Sequence, residues 1–404
     1  MILLTAIFLL LLAFLGYLRK KSFIAPTFLS PLSWGIVLFL YGTLDHGMNN
    51  LSNEVLVVIL IWNLSLLIGA WFFSEVSLSF SILKEESAGK AIFNKSIRNL
   101  YYWISVLGSF PLLLIAYKQG TTLGQGSFFF NLRLANTGIV ETEYNYGIWQ
   151  YVFTFAFVSF LIELFTYQKG ENKKRIVILI IINLLLSLIT MAKSSFFFLF
   201  LSVLFSIMFR RKIPIRNLFI VFSILIGILS LLQLLRAGDE SNVISSMFYT
   251  YIFGGIPALD QLVKGEMYSV QWGQMTMRFF RLFYGYLGGE PLSPNGMIFA
   301  NDVTEKGYIY VPFPTNVFTV IGPFWLDFGY KGIAIFSFII GSISGYLYRL
   351  ALKKRLWAVI SYSFFACTLV LQFFGEYVFT NLSYTIQIIA LTLFAFKFKY
   401  IIKW

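Results

Sequence analysis

The sequence has almost no cysteine or histidine and few charged residues. Its 404 residues include one cysteine, Cys367, and one histidine, His46, and 12% of them are charged. A single cysteine excludes an intramolecular disulfide, and its position in a hydrophobic run is typical of a small buried side chain. The sequence also lacks a Walker loop, a dinucleotide glycine pattern after a strand, paired metal-ligating cysteines and a His-x-x-x-His motif. We therefore predict no metal and no cofactor.

Apolar residues dominate what is present. They make up 58% of the chain, and the mean hydropathy is +0.78. A soluble domain of this length could not bury so much apolar surface, so lipid must be the solvent for most of the chain. The net charge of +13 could suggest a nucleic-acid partner, but the basic residues lie in short turns that adjoin lipid headgroups. We predict a single membrane domain over residues 1–404 that contacts membrane lipids and no nucleic acid.

The apolar residues form about eleven runs, each near the length that a membrane-spanning helix requires. They cover residues 1–18, 29–44, 54–74, 101–117, 148–166, 176–192, 194–209, 217–235, 328–348, 357–374 and 382–396. Basic residues follow the first run, the reverse of a cleavable signal peptide, so we expect a retained helix with its N-terminus outside. Alternating the helices places most basic residues inside and most acidic residues outside, as the positive-inside rule requires. The prediction is an all-α polytopic protein with its C-terminus inside. The short second run and the hairpin hinged at Lys193 are where the helix count is least fixed.

Residues 236–327 form the longest stretch without an apolar run, which predicts a long extracytoplasmic loop with interfacial helices. A helical projection of part of it gives one apolar face of Met275, Phe279, Leu282 and Tyr286. Arg278 and Arg281 fall on a neighbouring stripe. A helix at the outer interface would bury the apolar face and present both guanidiniums, each able to bind two phosphate oxygens. The alternative is that they extend to lipid headgroups.

Two further arginines lie on the predicted outer side, where positive charge is disfavoured. Arg236 stands where the eighth run leaves the membrane, and Arg133 follows three phenylalanines in an earlier outer loop. Both are candidates for binding an anionic ligand. The alternative is an ion pair with a nearby acid, such as Asp239 or Glu141.

Several acids and the one histidine are candidates for proton transfer. Asp327 stands at the predicted start of the ninth helix, where it could cap that helix or act in catalysis. Glu290 follows two glycines and could reach the same ligand as Arg281. His46 could act as a base near neutral pH, although a lone surface histidine usually has no such role. Glu163, near the inner end of the fifth run, is interpreted as a packed or lipid-interface acid.

The end of the long loop resembles a known family. The run from Thr315 to Phe318, with Asn316 in it, precedes Gly-Pro-Phe-Trp-Leu-Asp-Phe-Gly at residues 322–329 and then Gly332. These residues resemble the signature of Wzy-type O-antigen polymerases, which join oligosaccharide repeat units of bacterial surface polysaccharides. Many spans and a large late periplasmic loop match as well. Arg278, ten residues and Gly289 are similar to an Arg-x10-Gly pattern of some members, but Tyr144 stands where the same spacing from Arg133 would need glycine.

The resemblance implies a metal-independent, multi-span glycosyltransferase of the bacterial inner membrane that acts on its periplasmic face. Donor and acceptor would be undecaprenyl-diphosphate-linked oligosaccharides, and a chain-length regulator and a flippase would be partners. Positioned arginines would stabilise the charge that develops on the diphosphate, and an acid would take the proton of the acceptor hydroxyl. The implied substrate-binding residues are Arg278, Arg281, Arg236, Arg133, Asn316 and Tyr286, and the implied catalytic acids are Asp327 and then Glu290.

Other functions fit the sequence less well or equally. A lipid-linked oligosaccharide flippase would place polar groups at mid-membrane and often has repeated halves, but these runs carry little charge and show no repeat. An O-antigen ligase would differ only in its acceptor, and the sequence leaves it open. A metal-dependent transferase would need paired carboxylates in the first outer loop, where Asp45 stands alone. A non-catalytic scaffold would leave the outer arginines unexplained.

Overall fold

A computed structural model describes most of the chain. It covers residues 1–75, 94–124, 126–137, 140, 142–167, 172–210, 213–237, 249–265, 267–269, 272–289, 297–299, 309–312 and 314–401. The chain divides into two compact units, which are described separately. The first unit comprises Met1–Leu83, Ser245–Lys353 and Phe365–Thr385, and the second comprises Lys84–Ile244, Lys354–Phe364 and Ile386–Trp404. The single membrane domain stays a prediction.

The elements are numbered in chain order. The first unit contains α1 (Ile2–Lys20), α2 (Pro26–Thr43), α3 (Asn53–Glu75), α10 (Gly255–Val263), α11 (Arg278–Tyr286) and α12 (Gly322–Leu352). The second contains α4 (Lys95–Thr122), α5 (Phe128–Thr137), a 3-10 turn (Gly147–Gln150), α6 (Tyr151–Phe165), α7 (Lys173–Ile189), α8 (Lys193–Met208) and α9 (Ile215–Ala237). Two further helices, α13 (Leu356–Val370) and α14 (Leu382–Ile401), have residues in both units.

The long predicted loop contains two short antiparallel strand pairs besides its helices. The pairs are β1 (Met267–Ser269) with β2 (Met297–Phe299), and β3 (Ile309–Tyr310) with β4 (Pro314–Thr315). With strands this short, the architecture is all-α, as predicted.

Every predicted apolar run overlaps an α-helix, although the run 148–166 begins in the 3-10 turn and the run 357–374 extends past the end of α13 at Val370. Five helical segments in the described part of the chain are long and apolar enough to cross a membrane: Ile2–Lys20, Asn53–Glu75, Lys95–Thr122, Gly147–Phe165 and Gly322–Leu352. Shorter apolar helices accompany them. The chain is therefore a multi-pass membrane protein. The total of about eleven spans and their orientation stay predictions.

Three predicted boundaries are wrong. Helix α4 begins at Lys95, so Arg98 is a buried helical residue rather than part of a turn. Lys193 is the buried first residue of α8 rather than a hinge. Helix α12 begins at Gly322, because Pro323 occupies its first turn, where proline lacks only a donor that would be unpaired anyway.

The first unit is built around a close contact between α3 and α12. A Cβ atom on Gly341 would lie 2.1 Å from the carbonyl oxygen of Leu66, and one on Gly345 would lie 2.3 Å from that of Ala70. At these distances only glycine lets the two backbones approach, and the four-residue spacing repeats the contact one turn later. The pair of helices forms the rigid frame beside which the candidate site lies.

Two irregular segments, residues 314–321 and 371–381, meet in the first unit. Thr319 forms a parallel bridge with Gly375, and the Val320 N–H donates to the Gln372 carbonyl at 2.7 Å. The Gln372 side-chain oxygen accepts from Ser30 Oγ, Trp34 Nε1 and Trp62 Nε1 at 3.0, 2.8 and 3.2 Å. These bonds fix the two segments to each other and to α2 and α3, next to the start of α12.

Candidate functional site

Helix α12 is kinked at Gly329, which has φ 58° and ψ −145°. Glycine is the residue that adopts this backbone conformation without strain. The residues before the kink form a separate first segment, and Asp327 lies near its end. Trp325 of this segment donates from Nε1 to the Leu262 carbonyl at 3.1 Å, and the Phe324 ring stacks on Trp62. The segment that carries Asp327 is therefore fixed to α10 and α3.

The Asp327 carboxylate binds the turn that precedes α11. Its Oδ2 accepts from the Thr276 N–H at 2.8 Å, from Thr276 Oγ1 at 2.7 Å and from the Met275 N–H at 3.1 Å. These bonds to a charged acceptor are stronger than bonds between neutral groups. Asp327 thus has a partner in a distant turn, rather than the role of capping its own helix that was the alternative. Because Thr276 precedes Arg278 by two residues, the structure brings Asp327 close to the start of the arginine helix.

Arg281 lies inside the protein. The residue is 2% exposed. Its guanidinium carbon lies 5.3 Å from the ring centre of Trp272 and 5.8 Å from that of Tyr284. The prediction that α11 presents both guanidiniums at its surface is wrong for Arg281. The exposed rings of Trp272 and Tyr284 lie against the guanidinium and make cation–π contact with it.

Arg278 has the opposite environment. It is exposed, and it forms no ion pair within the described residues. The apolar side chains of α11 are exposed too, among them Phe280, Leu282, Phe283 and Tyr286. Tyr286 is 88% exposed. An exposed apolar face beside an exposed cation is typical of a helix that lies in the membrane interface. Arg278 and these apolar side chains thus share the exposed surface of α11.

The other predicted site residues belong to other segments of the chain or lie outside the description. Asn316 is exposed and follows β4, whereas Thr315 beside it is buried. Arg133 is half-buried on α5, and Arg236 belongs to α9, with a side chain outside the described part; both are in the second unit. Glu290 lies outside the described residues. The structure thus connects Asp327 to the turn before Arg278 and Arg281, and the other site residues stay predictions.

Glu376 is a buried acid that the sequence did not single out. Its carboxylate accepts the backbone N–H groups of Val378, Phe379 and Thr380 at 2.8, 2.9 and 2.6 Å. Burial raises the pKa of Glu376, and the N–H donors oppose that shift. The contacts stabilise the turn that leads into α14. An acid a few residues before an apolar run is the signal that could have indicated this role.

The lone histidine has a structural role. His46 Nδ1 accepts the Met48 N–H at 2.9 Å, and Nε2 lies 2.9 Å from the Tyr41 carbonyl oxygen. Its ring lies against Tyr41 and Phe253. With both nitrogens bonded to the surrounding backbone, His46 stabilises the turn after α2.

Comparisons with known proteins add no assignment. No protein-family model, curated protein or solved structure matches the chain. Among the described residues, no group of three His, Cys, Asp or Glu side chains is arranged to hold a metal ion. The candidate site consists of Arg278, Arg281, Thr276 and Asp327.

Proposed function

We propose that this protein is a glycosyltransferase that joins polyprenyl-diphosphate-linked oligosaccharides, as Wzy-type polymerases do, on the outer face of a bacterial inner membrane. The observation that supports this most is the position of Arg278. It is an exposed guanidinium on an interfacial helix, and that helix begins at a turn that Asp327 holds. A diphosphate joined to a membrane-embedded chain has its charge at the membrane interface, where such a helix would lie.

The proposed reaction transfers a glycan from its diphosphate carrier to a hydroxyl of the next lipid-linked unit. The bond between the sugar's anomeric carbon and the diphosphate oxygen breaks, and negative charge grows on the leaving diphosphate. Arg278 would bind two of its oxygens through its planar fork and stabilise that charge. A donor fixed in place beforehand contributes about 10²–10³ in rate.

Arg281 and Asp327 support Arg278 in this proposal. Arg281 lies against the Trp272 ring, and this contact connects α11 to the turn that precedes it. The N–H and hydroxyl donors of Met275 and Thr276 occupy the Asp327 carboxylate and connect it to the turn before α11. We therefore assign Asp327, the first predicted catalytic acid, to positioning the arginine helix. Glu290, the second predicted acid, is then the acceptor of the hydroxyl proton.

The test uses the purified full-length protein in liposomes that contain a lipid-linked repeat unit, a chelator and no nucleotide sugar. We expect a ladder of glycans with the wild type and loss of the ladder with Arg278→Ala. Arg19→Ala is the matched control, because Arg19 is an exposed guanidinium over the Trp71 ring in the same unit. A normal ladder from Arg278→Ala would refute the assignment. Movement of the lipid across the bilayer without a ladder would instead indicate a flippase.

A further inference from the structure

The last turn of α6 is surrounded by arginines. Arg98 Nε and Nη2 donate to the two oxygens of Glu163 at 2.6 and 2.5 Å, and Arg175 Nη1 lies 3.4 Å from the same carboxylate. Arg210 donates to the Leu164 carbonyl at 3.3 Å and lies over the Phe165 ring. All of these residues belong to the second unit. Two guanidiniums thus contact the Glu163 carboxylate, and a third lies against the two residues that follow it.

Two exposed lysines, Lys173 and Lys174, add to this positive charge, since they directly precede Arg175. We call the whole set the basic cluster: Arg98, Lys173, Lys174, Arg175 and Arg210. Arg98 and the fully buried Glu163 form a two-bond pair, which balances one charge. In the described part of the chain, Lys173 and Lys174 form no ion pair. The cluster therefore has a clear excess of positive charge.

An apolar surface continues from the basic cluster along the same helix. Val177, Ile178 and Ile181 of α7 are exposed. On α4, which packs against α7, Leu100 and Trp103 are exposed as well. In a membrane protein such side chains contact acyl chains. The cations therefore adjoin exposed apolar side chains, just as the phosphate of a phospholipid adjoins its acyl chains.

We propose that the basic cluster binds an anionic glycerophospholipid. Arg175, Lys173 and Lys174 contact its phosphate, and an acyl chain lies along the exposed face of α7. A soluble polyanion would use the charges but not the adjoining apolar surface, so the geometry favours the lipid. The inference depends neither on which leaflet contains the cluster nor on the proposed enzymatic activity.

The first test measures lipid retention. Native mass spectrometry of the full-length protein in non-ionic detergent, with equal amounts of phosphatidylglycerol and phosphatidylcholine, should show selective retention of phosphatidylglycerol. Replacing both lysines (K173Q/K174Q) should lower that retention about tenfold, since each basic side chain near the surface contributes to anionic-lipid binding. The control K353Q/K354Q removes the same charge from two exposed lysines after α12 and should change retention less than about twofold.

The second test separates lipid binding from folding. The charge reversal K173E/K174E places acids in the first turn of α7, where the helix dipole favours them, so the lipid-free protein should unfold at the same or a higher temperature. Its stabilisation by added phosphatidylglycerol should disappear. If K353Q/K354Q lowered phosphatidylglycerol retention as much as K173Q/K174Q, the overall charge of the protein would explain the binding and the proposal would be overturned. If soluble glycerophosphoglycerol at matched concentration displaced the lipid, the proposed contact with an acyl chain would be contradicted. If the wild type retained phosphatidylglycerol and phosphatidylcholine equally, the proposed anionic-lipid site would be contradicted.

Discussion

Each unit contains a buried arginine, and the surroundings of these two arginines differ. In the second unit, Glu163 and Arg98 bind each other directly through two hydrogen bonds. In the first, Asp327 is bonded to the Thr276 hydroxyl and to backbone N–H groups, and Arg281 lies over aromatic rings. The pair in the second unit is a structural joint, because breaking a buried ion pair leaves a charge without its partner. The bonds in the first unit fix the turn at which the helix of Arg278 begins.

The largest expected effect breaks the ion pair of the second unit. Glu163→Gln leaves Arg98 buried opposite a neutral amide, and we expect a loss of about 3–5 kcal/mol in unfolding free energy. The measurement is unfolding of the detergent-solubilised protein. Glu75→Gln is the control, because the Glu75 side chain is 45% exposed beside Lys20 and its loss should cost about 1 kcal/mol or less. If Glu163→Gln and Glu75→Gln lowered the unfolding free energy equally, the Arg98–Glu163 pair would not be a structural joint.

The next prediction concerns Arg281 in the first unit. Arg281→Ala should lower the rate of glycan ladder formation about 10²-fold, because α11 loses the contacts that orient it and Arg278. Arg281→Lys keeps the charge but not the planar stacking, so its rate should lie between those of the wild type and Arg281→Ala. Initial rates in the liposome assay provide the measurement. Full activity of Arg281→Ala would show that this arginine serves the fold alone.

A smaller effect is expected from Asp327→Asn. The amide nitrogen would face the Thr276 and Met275 donors, and the bonds to a charged acceptor would be lost. We expect ladder formation to fall about tenfold or more, the scale of one or two such bonds. Asp45→Asn, at an exposed acid of the first turn, is the control. A rate equal to that of this control would contradict the role given to Asp327.

The smallest effect should come from Thr276→Val. It removes the hydroxyl bond to Asp327 and keeps the backbone N–H bond. The expected decrease in ladder rate is about threefold to tenfold, the net contribution of one hydrogen bond. Thr276→Ser keeps the hydroxyl and should restore most of the rate. If serine and valine behave alike, the hydroxyl is not what holds the arginine helix.

The sequence predicted the helices well because lipid-facing helices are apolar over their whole length. Helices α3 and α12 could be located from hydropathy alone. Side-chain orientation could not be predicted in this way. A helical projection places Arg278 and Arg281 on one stripe and does not reveal that Arg281 is buried while Arg278 is exposed. Asp327 was recognised from its motif, but its partner Thr276 lies far away in the chain.

Buried polar residues show the same limit. Glu163 was interpreted as a packed or lipid-interface acid, and the structure shows it packed, with Arg98 as its partner. Gln372 was not singled out, because its donors Ser30, Trp34 and Trp62 come from helices near the other end of the chain. Such pairings depend on tertiary contacts that no local pattern contains.

The exposed apolar side of α11 also decides how this protein can be handled. Cut free as a water-soluble fragment, residues 236–327 would turn Phe280, Phe283 and Tyr286 toward the aqueous phase, and the fragment would self-associate through them. Reconstitution in a bilayer or a micelle is therefore part of the preparation for any assay on this segment, since the amphiphile supplies the surface against which the helix rests.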